Sequence, residues 1–262
     1  MNNYFAFLKK EFVENLRTKR LLVLSCVFLF FAITTPFLTR FMGEFLGLLL
    51  PGDDAATDAL IGAMSNTTWI DSYIQYYSQV AQIGIFAILF MFMSIVSREL
   101  STGTASLLFS KGLGFWSFLM AKFSMATILT TLVSIVSAFV AFAYTVLLFD
   151  EGGSIGDVFL GAIAFSIGVQ MILAIILFCS SHTKSSGVAG GMSVGIYFLM
   201  ILTNIIPNIG RFSPMQLFSH PVTISVGEAS AIEGLWVNII LAFAVTAVAL
   251  FFAARGLSKA EG

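Results

Sequence analysis

Six long apolar stretches decide what this chain can fold into. They cover about residues 21–39, 79–97, 118–148, 158–179, 187–206 and 235–254. A bilayer core of about 30 Å is crossed by roughly 20 apolar residues of helix, so each stretch is long enough to span it. Of the 262 residues, 58% are hydrophobic and 10% are charged, whereas soluble domains carry about 25% charged residues. We therefore predict an all-α integral membrane protein with six transmembrane helices.

The basic residues predict how these helices are oriented. Six crossings place both termini on the same side of the membrane. If that side is the cytoplasm, 11 of the 13 Lys and Arg residues lie in cytoplasmic segments, and only Arg40 and Arg211 lie outside. Orientation follows this Lys/Arg asymmetry rather than net charge. We predict cytoplasmic termini and external loops at 40–78 and 207–234. Trp69 and the nearby tyrosines are typical of an interfacial aromatic belt, and the prolines of 207–234 favour short helical pieces.

The segment before the first span, residues 1–20, has an amphipathic pattern. Its apolar positions recur at helical spacing, and its charges occupy another face; the apolar set is Tyr4, Phe5, Leu8, Phe12 and Leu16. Such a segment is typical of an elbow helix lying in the membrane interface. The alternative is an ordinary charged anchor that acts only on topology. Residues 21–262 then form the transmembrane domain.

The sequence contains no recognisable motif for catalysis, nucleotide binding or metal binding. No stretch has the Walker A spacing that cradles phosphates. His182 and His220 are predicted on opposite sides of the membrane, each as a solvated loop residue, and Cys26 and Cys179 are predicted as buried free thiols. Apart from these thiols, no ionisable residue lies near the middle of a span, which argues against a proton-driven transporter. We predict no catalytic residue, no metal site and no nucleic-acid partner.

Three intramembrane patterns remain. Gly187, Gly191 and Gly195 recur every four residues and favour close helix packing, either within one subunit or across a symmetric dimer. A hydroxyl face on the third span is interpreted as inter-helix hydrogen bonding rather than a substrate path; it comprises Thr127, Thr130, Thr131, Ser134 and Ser137. On the second span, Gln82, Phe86, Phe90 and Met93 share a face that could line a cavity for a hydrophobic or amphipathic substrate. Lipid or core packing is the alternative for these four.

The predicted cytoplasmic segment 98–114 belongs to the run "SRELSTGTASLLFSKGLGFWSFLMAK", residues 97–122. Its short apolar helix exposes leucines, which require a partner or the membrane surface. With the elbow, the six spans and the long proline-containing outer loop, this run resembles the permease subunit of type-2 ABC exporters, the bacterial drug, antibiotic and peptide export class. The matching positions are Glu99, Gly103–Thr104, Leu107–Leu108 and Lys122. Gly112 departs from the usual Pro, and Phe115 from a common basic residue.

The resemblance implies a function and a set of partners. The segment would contain a coupling helix that docks on a separate ABC ATPase, present in two copies, which binds the ATP and Mg²⁺. A second permease copy or homologue, membrane lipid and a hydrophobic or amphipathic substrate complete the partners, in a bacterial cytoplasmic membrane. The implied coupling residues are Arg98, Glu99, Gly103, Thr104, Leu107 and Leu108. A non-transporting scaffold or sensor and a secondary transporter are the alternatives.

Overall fold

The computed structural model describes residues 2–49, 62, 66–204, 210–229, 232 and 234–260. Within these ranges 86% of the residues are helical, and there is no strand. Six helices are long and apolar enough to cross a membrane: Arg20–Leu49, Trp69–Ser101, Phe115–Phe149, Ile155–Ser181, Ser186–Thr203 and Leu235–Ser258. The prediction of an all-α fold with six such helices is confirmed, and the chain is a multi-pass membrane protein.

The described helices are numbered in chain order. An amphipathic helix, α1 (Asn2–Arg17), precedes α2 (Arg20–Leu49). The second span is built from α3 (Trp69–Gln79), a π-helical turn (Val80–Gly84) and α4 (Ile85–Phe92), followed by the short α5 (Ser97–Ser101) and α6 (Thr104–Ser110). The remaining long helices are α7 (Phe115–Phe149), α8 (Ile155–Ser181), α9 (Ser186–Thr203) and α11 (Leu235–Ala260). Between α9 and α11 lie 3₁₀ turns at Gly210–Phe212 and Pro214–Phe218 and the helix α10 (His220–Ser225).

The first two spans are longer than the sequence indicates. Helix α2 continues ten residues past position 39, and α3 begins at Trp69 rather than 79, so much of the predicted loop 40–78 is helical. Arg40 and Glu44 lie within α2, and both residues are exposed. Asp53, Asp54 and Asp58 of the first predicted external loop, and Pro207 of the second, lie outside the described residues.

Helix α3 begins with a capping box and buries its aromatic face. The backbone N–H and hydroxyl of Thr68 donate to Asp71 Oδ2 at 2.8 and 2.9 Å, which pairs groups that a helix start leaves open. Tyr73, Tyr76 and Tyr77 are at most 2% exposed. These tyrosines therefore belong to the core, and their interpretation as an interfacial belt is wrong.

Helix α8 forms the centre of the bundle. In its most apolar window 78% of residues are buried, against 22–50% for the other spans. Two glycines bring other elements close to it: a Cβ on Gly161 would lie 2.3 Å from Ser225 Oγ, and one on Gly168 3.0 Å from the Phe218 ring. Gly168 is near the middle of α8, so the segment 214–225 enters the depth of the bundle. Irregular backbone at that depth is tolerated where protein surrounds it.

Candidate functional site

The second span breaks just before the segment that resembles a coupling helix. Residues 93–96 form turns rather than helix, and such a break leaves backbone donors without helical partners. Ser180, at the end of α8, satisfies them: its Oγ accepts from the backbone N–H of Val96 at 3.1 Å and of Ser97 at 2.9 Å. The break thus fixes where α5 starts and joins it to the centre of the bundle. We call the end of the bundle that carries α1, α5 and α6 the basic end.

Two glycines with positive φ delimit α6. Gly103 has φ +73° and lies between α5 and α6, and Gly112 has φ +86° and follows α6. This left-handed region suits glycine because it lacks a Cβ. Proline, with φ locked near −65°, could not occupy position 112 in this conformation. The departure of Gly112 from the usual proline therefore reflects a different turn at the end of α6.

The predicted apolar surface of α6 is smaller than the sequence suggests. Leu107 is 64% exposed and Ala105 is fully buried, while Leu108 is half-buried and packs against the core. The leucine pair is therefore split between two faces, and Leu107 provides the exposed apolar side chain. Arg98 is also exposed. The hydroxyls of Thr104 and Thr102 share a hydrogen bond of 2.9 Å across the Gly103 turn.

Four charged residues from three helices meet at the basic end. Lys122 Nζ on α7 donates to Glu99 Oε1 on α5 at 2.9 Å and to Glu11 Oε1 on α1 at 3.1 Å. Lys10 Nζ lies 3.3 Å from each of the same two oxygens. The side chains of Lys122 and Glu11 are 3% exposed. We call Lys10, Glu11, Glu99 and Lys122 the charge cluster.

The cluster compensates charges that would be costly alone. A buried ion loses several kcal/mol of hydration unless partners replace it, and each buried charge here has at least two contacts of opposite sign. Glu99 Oε2 is buried without a hydrogen-bond partner among the described residues. Burial alone would lower the pKa of Lys10, but the carboxylates of Glu99 and Glu11 outweigh it and raise the pKa above its ordinary value. Lys10 is thus charged at neutral pH, as its contacts with the carboxylates require.

Carboxylates of Glu11, Glu14 and Glu99 lie within 4.8 Å of one another, a spacing that a metal ion could bridge. The ammonium groups of Lys10 and Lys122 already contact two of these carboxylates, and Lys10 also lies 3.1 Å from Glu14 Oε2. Cationic charge is therefore supplied by the chain itself. The arrangement is an ion-pair network.

Aromatic rings run alongside the charge cluster and connect it to α6. Phe118 of α7 contacts Phe7 of α1 and Phe109 of α6, with ring centroids 5.5 and 5.3 Å apart. Lys122 Nζ lies 5.2 Å from the Phe118 centroid and 5.8 Å from that of Phe7. Such cation–π contacts favour a desolvated ammonium. Helix α6 is thus joined to α1 through α7.

Helix α1 turns its polar stripe toward the protein. Phe7, Glu11 and Asn15, spaced four residues apart, are buried, whereas Phe5 and Phe12 of the predicted apolar face are exposed. The side chains of Tyr4 and Leu16 lie outside the described set. An apolar face directed away from the protein suits a helix that rests in lipid.

The sequence brought two members of the charge cluster to attention and missed the others. Glu99 and Lys122 belong to the resemblance, whereas the helical pattern places Lys10 only on the polar face of α1 and does not single out Glu11. The sequence did contain one indication that Glu11 faces the protein. Phe7, Glu11 and Asn15 recur every four residues, so they share one face of the helix.

The proposed substrate face lies on the outside of the single chain. Phe86 stacks on Phe90 and contacts Tyr197 and Phe198 of α9 at 5.9 and 6.1 Å. Phe90 is 62% exposed. Gln82 is also exposed, and its Nε2 donates to Ser78 Oγ at 3.1 Å.

Met93, the fourth residue of that face, is half-buried against α9. A Cβ on Gly190 would lie 2.8 Å from its Sδ. Met93 therefore packs between α4 and α9, whereas Gln82 and Phe90 lie on an open face beside them.

Two further glutamines extend this face toward the opposite end. Gln75 and Gln79 precede Gln82 at helical spacing. Gln75 falls in the predicted loop 40–78 and Gln79 is the first residue of the predicted span 79–97, so neither was assigned to the face of Gln82. They line a pocket of about 550 Å³ between α2 and α3, whose other lining residues are Thr35, Leu38, Thr39, Met42, Asn66, Thr67 and Asp71. The second span thus carries amide side chains along one half of a stripe and aromatic rings along the other.

The glycine stripe of α9 makes no packing contact within the described chain. A Cβ added to Gly187, Gly191 or Gly195 would meet no atom within 4 Å, and all three residues are exposed. This geometry does not support the interpretation of packing within one subunit. Gly190, on another face of α9, is the glycine that packs closely.

The hydroxyl face of α7 makes fewer inter-helix hydrogen bonds than expected. Ser137 Oγ bonds with Tyr76 Oη at 2.6 Å, but Thr130 donates to the carbonyl of Ala126 on its own helix. Thr127, Thr131 and Ser134 have side-chain oxygens without a partner among the described residues.

Two environment predictions are corrected. Cys26 and Cys179 are free thiols, but only Cys179 is buried. His220 is half-buried, and its Nε2 lies 2.8 Å from Asn238 Nδ2 of α11. It is therefore not a solvated loop residue, and burial lowers its pKa. His182 is exposed, as expected.

Comparison with known families identifies the chain. The profile of the ABC-2 family transporter protein matches residues 5–255. The protein therefore belongs to the ABC-2 family of transporter membrane proteins, as its resemblance to type-2 permeases predicted. Members are membrane transport components, and membership implies association with an ABC ATPase. Comparison with curated proteins gives no significant match.

Proposed function

We propose that this chain is the permease subunit of an ATP-driven exporter in a bacterial cytoplasmic membrane, with both termini and the basic end in the cytoplasm. The observation that carries the proposal is α6, a short helix held between two positive-φ glycines that exposes Leu107. Leu107, Arg98 and Lys111 are exposed residues of the same segment, and an exposed leucine suits a groove on a partner better than water. ATP and Mg²⁺ would be bound by that partner, an ABC ATPase present in two copies.

Co-purification in detergent with a co-expressed ABC ATPase of the source organism tests the docking proposal. We expect Leu107→Glu to abolish association because it places a charge where an apolar contact is needed. Lys184→Glu is the matched control, since Lys184 is exposed in the other loop of the basic end. Retention of the ATPase by Leu107→Glu would contradict docking through α6, and equal loss with Lys184→Glu would show a general charge effect.

The same proposal assigns the stripe on the second span to an amphipathic substrate. Gln75, Gln79 and Gln82 offer amide donors and acceptors, while Phe86 and Phe90 offer apolar contact. A second permease copy, packed near the open glycine stripe of α9, would enclose this face. A peptide or antimicrobial with polar and apolar parts fits the two halves of the stripe.

Substrate stimulation of ATP hydrolysis tests this assignment with a panel of amphipathic peptides. Phe86→Ala combined with Phe90→Ala should remove stimulation and leave basal hydrolysis intact. Phe243→Ala with Phe252→Ala is the control, because these exposed rings lie on α11. Unchanged stimulation in the Phe86 and Phe90 variant would contradict the substrate face.

A further inference from the structure

The charge cluster joins three helices that the chain connects only loosely. Glu11 and Lys122 are 111 residues apart in sequence, and Glu99 and Lys122 are 23 apart. Between α5 and α7 the backbone passes through Gly103 and Gly112, both with positive φ. Before α5 it passes through the break at residues 93–96. These three interruptions of the helical backbone would by themselves allow α5 and α6 to move relative to α7.

Lys122 opposes such hinging because its ammonium cannot find other partners. It is 3% exposed, whereas Lys9, Arg98, Lys111 and Lys184 at the same end are exposed. Moving α5 away from α7 would break the 2.9 Å contact with Glu99 and leave buried charges uncompensated. Moving α1 away would do the same through Glu11. One side chain therefore holds both neighbours.

Aromatic contacts connect α6 to the same group of helices. Helix α6 carries no member of the charge cluster, but Phe109 packs on Phe115 and Phe118 of α7 with ring centroids 4.5 and 5.3 Å apart. Phe118 in turn packs on Phe7 of α1. Displacement of α6 is therefore resisted by α7 and α1 at the same time.

We propose that Lys122 is a positioning residue that makes α1, α5, α6 and the first turns of α7 one rigid unit. Force applied to α6 would then reach the elbow helix and the third span together rather than bend α6 alone. The rigidity is a property of this chain; its use in transport rests on the proposed coupling to an ATPase.

Spin-label distances test the proposal directly. Cys26 and Cys179 are first replaced by Ser, and labels are placed at the exposed positions Arg17 of α1, Ser110 of α6 and Ser258 of α11. Distances are measured on the chain in nanodiscs, and on its complex with the ATPase, without nucleotide and after trapping with ATP and vanadate. In the chain with an intact charge cluster, we expect the distance between the labels at positions 17 and 110 to stay constant on trapping. The distance between the labels at positions 110 and 258 should change.

The main variant combines Glu99→Gln with Lys122→Met. It removes one charge of each sign, so that Lys10 still pairs with Glu11, and folding is better preserved than after loss of Lys122 alone. We expect its 17–110 distribution to broaden by more than about 2 Å, the scale of helix shifts in switching proteins, and to shift on trapping. The single variant Lys122→Arg, with Glu99 intact, should keep the narrow distribution, because a guanidinium can bridge two carboxylates. Lys184→Met is the matched control and should behave as the unmodified chain.

Each outcome decides the proposal. A narrow 17–110 distribution in the double variant, or a 17–110 shift on trapping in the unmodified chain, would overturn it. If the double variant does not fold, Glu99→Gln alone is measured against the same criteria. If no ATPase co-purifies with the unmodified chain, the proposed function fails, while the width measured on the chain alone still decides whether Lys122 makes the unit rigid.

Discussion

The two ends of the bundle are held together by different chemistry. At the basic end, Lys122 shares its charge between Glu11 and Glu99. At the opposite end, neutral hydrogen bonds join α3 to its neighbours. Tyr73 Oη donates to the Gly152 carbonyl at 2.8 Å, Tyr76 Oη bonds with Ser137 Oγ at 2.6 Å, and Tyr77 Oη bonds with Ser225 Oγ at 3.3 Å. Ser72 Oγ also bonds with Thr145 Oγ1 at 2.8 Å. Both networks are buried, except that the side chain of Lys10 is 44% exposed.

The difference lies in how each network fails. Separate neutral hydrogen bonds contribute about 1 kcal/mol each and can break one at a time. In the charge cluster, loss of one of the buried members Glu11, Glu99 and Lys122 leaves its buried partners less compensated. The opposite end can therefore yield locally, whereas the basic end moves as a whole or not at all.

Loss of Lys122 should have the largest effect on stability. Lys122→Met alone leaves Glu11 and Glu99 with only Lys10, and we expect a loss of about 3–5 kcal/mol. Thermal unfolding in detergent, followed by size-exclusion chromatography, measures it. Adding Glu99→Gln should recover much of the loss. Equal instability of the single and double variants would show that packing rather than charge governs this end.

Close packing at the opposite end should be the next most sensitive feature. A Cβ on Gly161 would overlap Ser225 Oγ and lie 2.9 Å from the Pro221 carbonyl, so Gly161→Ala should cost about 1–3 kcal/mol through overpacking. Gly191→Ala meets open space and serves as the control in the same unfolding assay. A tolerated Gly161→Ala would mean that α10 can move away from α8 without loss.

A single neutral hydrogen bond should matter less. Tyr76→Phe removes the 2.6 Å contact with Ser137 and should cost about 1 kcal/mol, because Ser137 Oγ can still donate to the Ser134 carbonyl at 3.0 Å. A double-mutant cycle with Ser137→Ala isolates the pair. A coupling energy as large as that of the charge cluster would remove the contrast between the two ends.

These two ends also differ in how far the sequence could predict them. The apolar runs predicted six spans, since a bilayer requires long apolar helices, and the pattern around Glu99 and Lys122 pointed to the basic end. Glu11 could not be paired with Lys122 because their contact depends on how α1 packs, 111 residues away in sequence. Helix α3 was missed because Asp71, Gln75 and Gln79 make its sequence polar, while its buried tyrosines resemble interfacial residues.

The smallest effect is expected at the edge of the charge cluster. Lys10 Nζ lies 3.1 Å from Glu14 Oε2, but both side chains are more than 40% exposed, and exposed pairs of this spacing contribute about 0.3–0.5 kcal/mol. Partial burial would raise the pKa of Glu14, but the hydrogen bond and charge of Lys10 lower it below its ordinary value of 4.5.

A carboxyl whose pKa is lower in the folded state stabilises the fold above its unfolded pKa and loses that contribution as pH falls. The stability difference between the native chain and Glu14→Gln should thus be present at neutral pH and should vanish on acidification below about pH 4.5. Unfolding midpoints of both proteins across this range measure it, at low salt, where screening is weakest. A difference that persists in acid would mean that Glu14 stabilises α1 by packing, and that the charged network ends at Lys10.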